Sequence, residues 1–182
     1  AGDVIIYEMQ TYNYLPAESV NSVWDVTKAA TSSGIHIVAA AGNGNQNLDS
    51  THNQFYKNLG DSGAIIVGAG SNTTTHSKLV FSTYGHRVNL QGWGTGVLTT
   101  GYGGGYAKLG NDTNQAYGMY SGTSAATPIV ASCVIALVCR AKASNYTLSP
   151  IEARSILVST GIPQGGDISK NIGPLPNMKK AL

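Results

Sequence analysis

Apolar residues along this chain fall in short unbroken runs, separated by polar, glycine-rich stretches. Asp3–Glu8, Ile35–Ala41 and Ala64–Ala69 each hold such a run, without alternation. Unbroken apolar runs of this length predict strands buried on both faces. Between the first two, Val20, Val23, Trp24, Thr27 and Ala30 recur at helical spacing within Pro16–Ser33. Gly34 stands where a helix stop belongs. Val80–Leu90 and Gly96–Thr100 predict further short strands. Pro128–Ala141 is apolar nearly all round, which predicts a buried helix. Ser149-Pro-Ile-Glu152 has the form of a capping box with proline at the first helical position, and Gly161 closes that helix. The Asn-rich stretch Gly42–Gly60 and the Gly- and Tyr-rich stretch Gly101–Gly118 read as loops. Strand, helix and strand with non-alternating strands predict an α/β fold, a mainly parallel sheet with helices on both faces. No repeat and no Pro/Ser linker divides the 182 residues, so they form one domain or part of one.

Composition narrows the function. Charged residues make up 11% of the chain and the formal net charge is +2, with no Lys/Arg run. Nothing here points to nucleic acid or an anionic membrane surface. No apolar stretch reaches about 18 residues, so no membrane span is predicted. Ala1-Gly-Asp3 lacks the charged start and apolar run of a secretion signal. Cys133 and Cys139 fall in one predicted helix. Six positions apart, they are about 9 Å apart along the axis. A disulfide needs Cα atoms within about 7 Å. Both therefore read as buried free thiols.

Two stretches carry candidate chemistry. The first is Tyr120-Ser-Gly-Thr-Ser-Ala-Ala-Thr-Pro128, where small and hydroxyl residues lead into the apolar helix. A helix start offers free N–H groups and the positive end of the dipole. A serine there is placed to attack a carbonyl, with its own N–H aimed at the developing oxyanion. Ser124 is that serine. The plainer reading is that Ser121 or Thr123 merely caps the helix. The second stretch is Ala39-Ala-Ala-Gly-Asn43, at the end of a predicted buried strand. Ligands bind at the carboxyl ends of strands in open parallel sheets. The Asn43 side chain offers an uncharged N–H donor there. The plainer reading is an Asn43-Gly44 turn.

Ala40-Ala-Gly-Asn43, Phe81-Ser-Thr-Tyr-Gly85 and Ser121-Gly-Thr-Ser-Ala-Ala-Thr-Pro128 resemble motifs of the subtilisin-like serine proteases and stand in the same order as there. Gly92-Trp-Gly-Thr-Gly-Val97 is similar to a segment of some bacterial members. The resemblance runs from Val4 to about Leu157 and implies a three-layer fold and a serine endopeptidase that works through an acyl-enzyme. It implies Ser124 as nucleophile, with the Asn43 side chain and the Ser124 N–H binding the oxyanion. It also implies that Glu8 and Met9 lie on the strand edge that receives an extended peptide, and that Ala40, Ala41 and Gly42 wall the pocket beside it. The chain departs from the family at Glu8-Met9-Gln10, where many members carry Ser-Leu-Gly or similar. A carboxylate at Glu8 favours a basic substrate residue, against the plainer reading of a solvated strand-end side chain.

The family's triad runs Asp, His, Ser, with an early Asp-(Thr/Ser)-Gly and a His-Gly-Thr-type segment. None of His36, His52, His76 and His86 precedes Gly-Thr. Asp61-Ser-Gly63 comes after Asn43, out of order, and reads as a turn before the third predicted strand. Residues 1–182 are therefore expected to be the C-terminal portion of a single catalytic domain. The triad Asp and His are expected on an N-terminal segment outside it, held non-covalently if the chain is nicked. The alternative is a catalytically inert peptide-binding or interaction module on the same fold. No cofactor is required for the implied chemistry. A structural calcium is compatible with the family, and Asn45, Asn47 and Asp49 offer it oxygen ligands. The resemblance also implies an extracellular location and a polypeptide substrate.

Overall fold

A computed structural model describes residues 2–100, 107–108 and 116–182. Four strands form a parallel sheet in sequence order: β1 (Val4–Tyr7), β2 (His36–Ala40), β3 (Ile65–Gly70) and β4 (Leu90–Trp93). Helix α1 (Asn21–Ser32) connects β1 to β2. A 3₁₀ turn and the short helix α2 (Gln54–Leu59) lie between β2 and β3. β5 (Val97–Thr100), β6 (Ala107–Lys108) and β7 (Ala116–Tyr120) form a separate antiparallel sheet in the order β5-β7-β6. Helices α3 (Thr123–Ala143), α4 (Pro150–Thr160) and α5 (Met178–Ala181) complete the chain.

Successive strand residues point to opposite faces, and each face of the sheet has its own core. Val38, Ile65, Val67 and Leu90 pack with Val130, Val134 and Leu137 of α3 and Leu157 of α4. Ile37, Ala39 and Ile66 pack with Leu15, Leu48, Tyr56 and Ile172 on the other face. β2 and β3 are buried throughout, as their unbroken apolar runs require. The result is the expected three-layer arrangement.

Four local expectations change. The first strand is not buried, because β1 is the edge of the sheet and Ile5 and Ile6 are 43% and 42% exposed. Only Leu90 of the predicted strand Val80–Leu90 is in a strand. The predicted loop Gly42–Gly60 contains α2, a one-and-a-half-turn helix too short to show a periodic stripe. Cys133 is only partly buried and Cys139 is exposed; both are free thiols. Most of the predicted loop Gly101–Gly118 lies outside the described residues, although Ala116, Tyr117 and Gly118 belong to β7.

Helix α3 is longer than its apolar run. It takes in Thr123–Thr127 and runs to Ala143, and Pro128 sits inside it. Pro128 is the sixth residue of α3, past the first turn, so the N–H it lacks leaves the Ser124 carbonyl without a helical partner. At 21 residues α3 is long and apolar enough, by length and composition, to cross a bilayer. Here it packs across all four strands of the parallel sheet, with half of its apolar window buried. The capping box at α4 forms as read: Ser149 Oγ accepts from the Glu152 N–H, and Glu152 Oε2 accepts from the Ser149 N–H.

A second polar cluster joins the segments that enter β3 and β4. Glu18 is fully buried, and its carboxylate accepts hydrogen bonds from Tyr56 Oη at 2.6 Å and Ser62 Oγ at 2.5 Å. Arg87 Nη2 lies 2.8 Å from the same carboxylate, and Arg87 Nη1 donates to the Ala64 carbonyl and Asn89 Oδ1. Arg154 of α4 donates to both carboxylate oxygens of Asp61 and holds that carboxyl well below the usual carboxylate range, against the opposing effect of burial. Burial pushes the Tyr56 phenol well above its ordinary value.

Candidate active site

The site lies beyond the carboxyl ends of the parallel strands. β2 delivers Ala40, Ala41, Gly42 and Asn43 in one direction from its last turn of chain. β1 delivers Glu8 and Met9, and β4 leads to Gly94. The Gly94 carbonyl accepts from the Gly122 N–H at 2.9 Å, which anchors the start of α3 to the end of β4.

Gly122 is the N-cap of α3, with φ 136°. That backbone is open to glycine and strained for other residues. A Cβ there would stand 3.0 Å from Ser124 Oγ and 3.3 Å from Asn43 Nδ2. The glycine thus supplies the turn and keeps the space between those two groups clear. Neither Ser121 nor Thr123 plays the capping part of the plainer reading; the side chain that takes a first-turn N–H of α3 is Asn43, through its Oδ1. Ser121 Oγ donates instead to Thr95 Oγ1, and Thr123 serves Asn43. Ser124 is the second residue of α3, 8% exposed, among the N–H groups of the first turn that lack helical partners.

Asn43 Oδ1 accepts from the Thr123 N–H at 2.8 Å and from Thr123 Oγ1 at 3.0 Å. Its oxygen is therefore committed, which fixes the amide orientation and leaves Nδ2 beside Gly122. The bonds that orient the amide span 80 residues of sequence. Gly42 (φ 106°) completes the join: its N–H donates to Thr123 Oγ1 at 3.1 Å, and a Cβ on it would lie 2.0 Å from the Tyr14 carbonyl oxygen. Ala40 and Ala41 are buried behind it.

Of the residues the sequence singles out, Gly42 and Asn43 meet the start of α3 through Thr123, one residue before Ser124, whereas Ala40 and Ala41 are buried and do not line the Ser124 cleft. Glu8 lines a cleft of about 330 Å³ with Ser124, Tyr120, Pro128 and the β5 residues Val97 to Thr99. Met9 is 65% exposed and does not line that cleft. Three contributors went unread. Gln10, singled out only as a departure, accepts from the Asn43 N–H through Oε1 at 2.8 Å. Thr123 orients Asn43. Tyr120 places its hydroxyl 3.0 Å from Ser124 Oγ. The Gly-Thr-Ser triplet itself was the available signal for Thr123; nothing local marks Gln10 or Tyr120.

None of the four histidines lines the Ser124 cleft. His36 is buried in β2, and His52 sits exposed in the 3₁₀ turn. His86 Nδ1 lies 2.8 Å from Asp49 Oδ2, but that pair lines a different cleft, with Tyr56 and Arg87. The oxygens offered for calcium have other partners. Asn45 Oδ1 accepts from Lys78 Nζ, Asn47 Oδ1 from the Asp49 N–H, and Asp49 Oδ2 from the His86 N–H. Among the described residues, no group of three or more His, Cys, Asp or Glu gathers to hold a metal.

Residues 6–173 match the subtilase family, and the chain belongs to it. It is 32% identical over 145 residues to an extracellular basic protease of Dichelobacter nodosus, covering 79% of this chain and 22% of that protein. It is 33% identical over 139 residues to alkaline elastase YaB of Bacillus sp. (strain YaB), covering 75% of this chain and 30% of that one. A solved cold-adapted subtilisin-like serine proteinase shares the fold, with a TM-score of 0.65 at 21% identity over 94% of this chain and 53% of that chain. The chain thus spans less than a third of these two relatives and about half of the solved structure.

Proposed function

We propose that this chain is the nucleophile-bearing, C-terminal portion of an extracellular serine endopeptidase domain. Ser124 Oγ attacks the scissile carbonyl carbon of a polypeptide. Its proton passes to a base, and the C–Oγ bond forms as the carbonyl oxygen takes up the negative charge. Asn43 Nδ2 and the Ser124 N–H donate to that oxygen. The C–N bond then breaks, the leaving amine takes the proton, and water later hydrolyses the acyl-enzyme. Glu8 and Met9 at the end of β1 receive the extended peptide, and Ala40, Ala41 and Gly42 wall its pocket.

The observation that carries this reading is the commitment of Asn43 Oδ1 to Thr123, which leaves the amide N–H₂ free beside Gly122, the residue that also neighbours Ser124 Oγ. Preorganised donors of this kind act without reorganisation cost at the moment of reaction. The triad Asp and His belong, in this reading, to an N-terminal segment outside residues 1–182 that packs non-covalently on this portion. The exposed edge of β1 supports that placement, because Ile5 and Ile6 present apolar side chains on its two faces and the strand has pairing groups to offer. The extracellular location rests on the D. nodosus relative's description as extracellular.

Labelling of the full-length protein by a fluorophosphonate, followed by intact mass, tests the assignment. The expected result is one adduct, absent from Ser124→Ala, together with hydrolysis of unfolded polypeptide. A protein that folds and takes no adduct is instead an inert peptide-binding module on a subtilase fold.

A further inference from the structure

Ser124 Oγ has a hydrogen-bond partner that the mechanism above does not use. Tyr120 Oη lies 3.0 Å away. Tyr120 ends β7, where it pairs with Val97 of β5. Its ring lines the same cleft as Ser124, Glu8 and Pro128. The contact does not come from helical spacing, since Tyr120 is in a strand and Ser124 in a helix. It spans Gly122, whose φ of 136° carries the chain from the end of β7 into the first turn of α3.

We propose that Tyr120 is a positioning residue that restrains the nucleophile: its hydroxyl must release Ser124 Oγ before the serine attacks. This rests on the reading of Ser124 as the nucleophile. Either polarity of the bond has the same consequence. If the phenol donates, it occupies one of the two Oγ lone pairs and draws electron density from the other, which weakens the attack on carbon. If Ser124 donates, its proton is committed to the phenol oxygen and not presented to a base. The restraint is releasable, because Tyr120 is 41% exposed and its ring has solvent to turn into, whereas Ser124 is 8% exposed. A neutral hydrogen bond nets about 1 kcal/mol, which sets the restraint at about fivefold in rate.

The test uses the full-length protein and a fluorophosphonate, with kinact and KI measured separately for wild type, Tyr120→Phe, Tyr120→Leu and Ser124→Ala. The expected result is a kinact about fivefold higher in Tyr120→Phe. Its KI should be unchanged, because the ring that lines the cleft remains. Tyr120→Leu must show the same rise in kinact; a rise confined to one of the two overturns the assignment to the hydroxyl. An unchanged or lower kinact in Tyr120→Phe, with Ser124→Ala unlabelled, overturns the restraint and leaves the nucleophile standing. Labelling that survives Ser124→Ala, or none in wild type and Tyr120→Phe alike, removes the nucleophile assignment and the restraint with it.

Discussion

Two polar clusters sit in this fold and they are built on opposite rules. Around Glu18, buried charge is met on all sides: Tyr56, Ser62 and Arg87 converge on one carboxylate. Around Ser124, one half of each group is fixed and the other half is left open. Asn43 is held by its oxygen while its N–H₂ lies free beside Gly122, and among the described residues the Ser124 hydroxyl has the Tyr120 hydroxyl as its partner. The first cluster ties the entries of β3 and β4 to the segment before α1. The second leaves an amide donor and a serine hydroxyl open, the two groups on which the proposed function rests. A buried polar group that is fully satisfied is a structural feature, and one held in place with a free donor is a candidate for chemistry.

The contrast gives expectations that differ in kind as well as size. Glu18→Ala removes the hub of the cluster and leaves Arg87, largely buried, with Asp61 at 3.7 Å as its remaining carboxylate. Breaking a buried pair in this way costs about 3–5 kcal/mol. Urea unfolding of the variant should show that loss, while the fraction that remains folded keeps its rate of fluorophosphonate labelling. A loss of labelling at constant stability would erase the distinction between the clusters.

Asn43→Ala should do the reverse. Removing one such oxyanion donor costs about 10²–10³ in kcat, a magnitude taken from subtilisin itself, a member of this family. KM should change little, because the donor acts on charge that develops only in the transition state. Peptide hydrolysis by the full-length protein measures both constants. A rise in KM at constant kcat would make Asn43 a ground-state binding residue.

The smallest effect sharpens the comparison with a third case. His36 is buried in β2 with no hydrogen-bond partner on either ring nitrogen. Burial lowers its pKa from 6.5, the positive charge of Lys142 adds to the effect, and the backbone of Leu148 opposes it. The unfolded chain therefore takes up a proton near pH 6.5 that the folded chain refuses. Stability should fall as pH drops below about 6.5, until the folded-state pKa is passed. Urea midpoints between pH 5 and pH 8 should show the slope, and His36→Leu should flatten it. An equal slope in that variant would assign the dependence to other groups.

Several of these features could be read in the sequence. The unbroken runs at Ile35–Ala41 and Ala64–Ala69 gave β2 and β3, and Ser149-Pro-Ile-Glu152 gave the start of α4, because each is a local pattern with a local cause. The pair Asn43 and Ser124 was legible for a different reason, as two short motifs whose residue types suit one chemistry. Burial of β1 was misread, since an apolar run does not say whether a strand is central or at an edge. The start of α3 was misread as well, since Thr123–Thr127 is helical through its anchoring to β4 and Asn43 and not through propensity.

The sequence alone determined the α/β class, the buried strands β2 and β3, and the capped start of α4. Only the tertiary structure decided which end of the Asn43 amide is held by Thr123, that Gln10 holds the Asn43 N–H, and that a tyrosine hydroxyl rests on the serine. Those contacts join residues that sit on separate elements. Their geometry is set by where the strands of the parallel sheet end and by the backbone at Gly122. No local pattern of hydrophobic and polar positions encodes either.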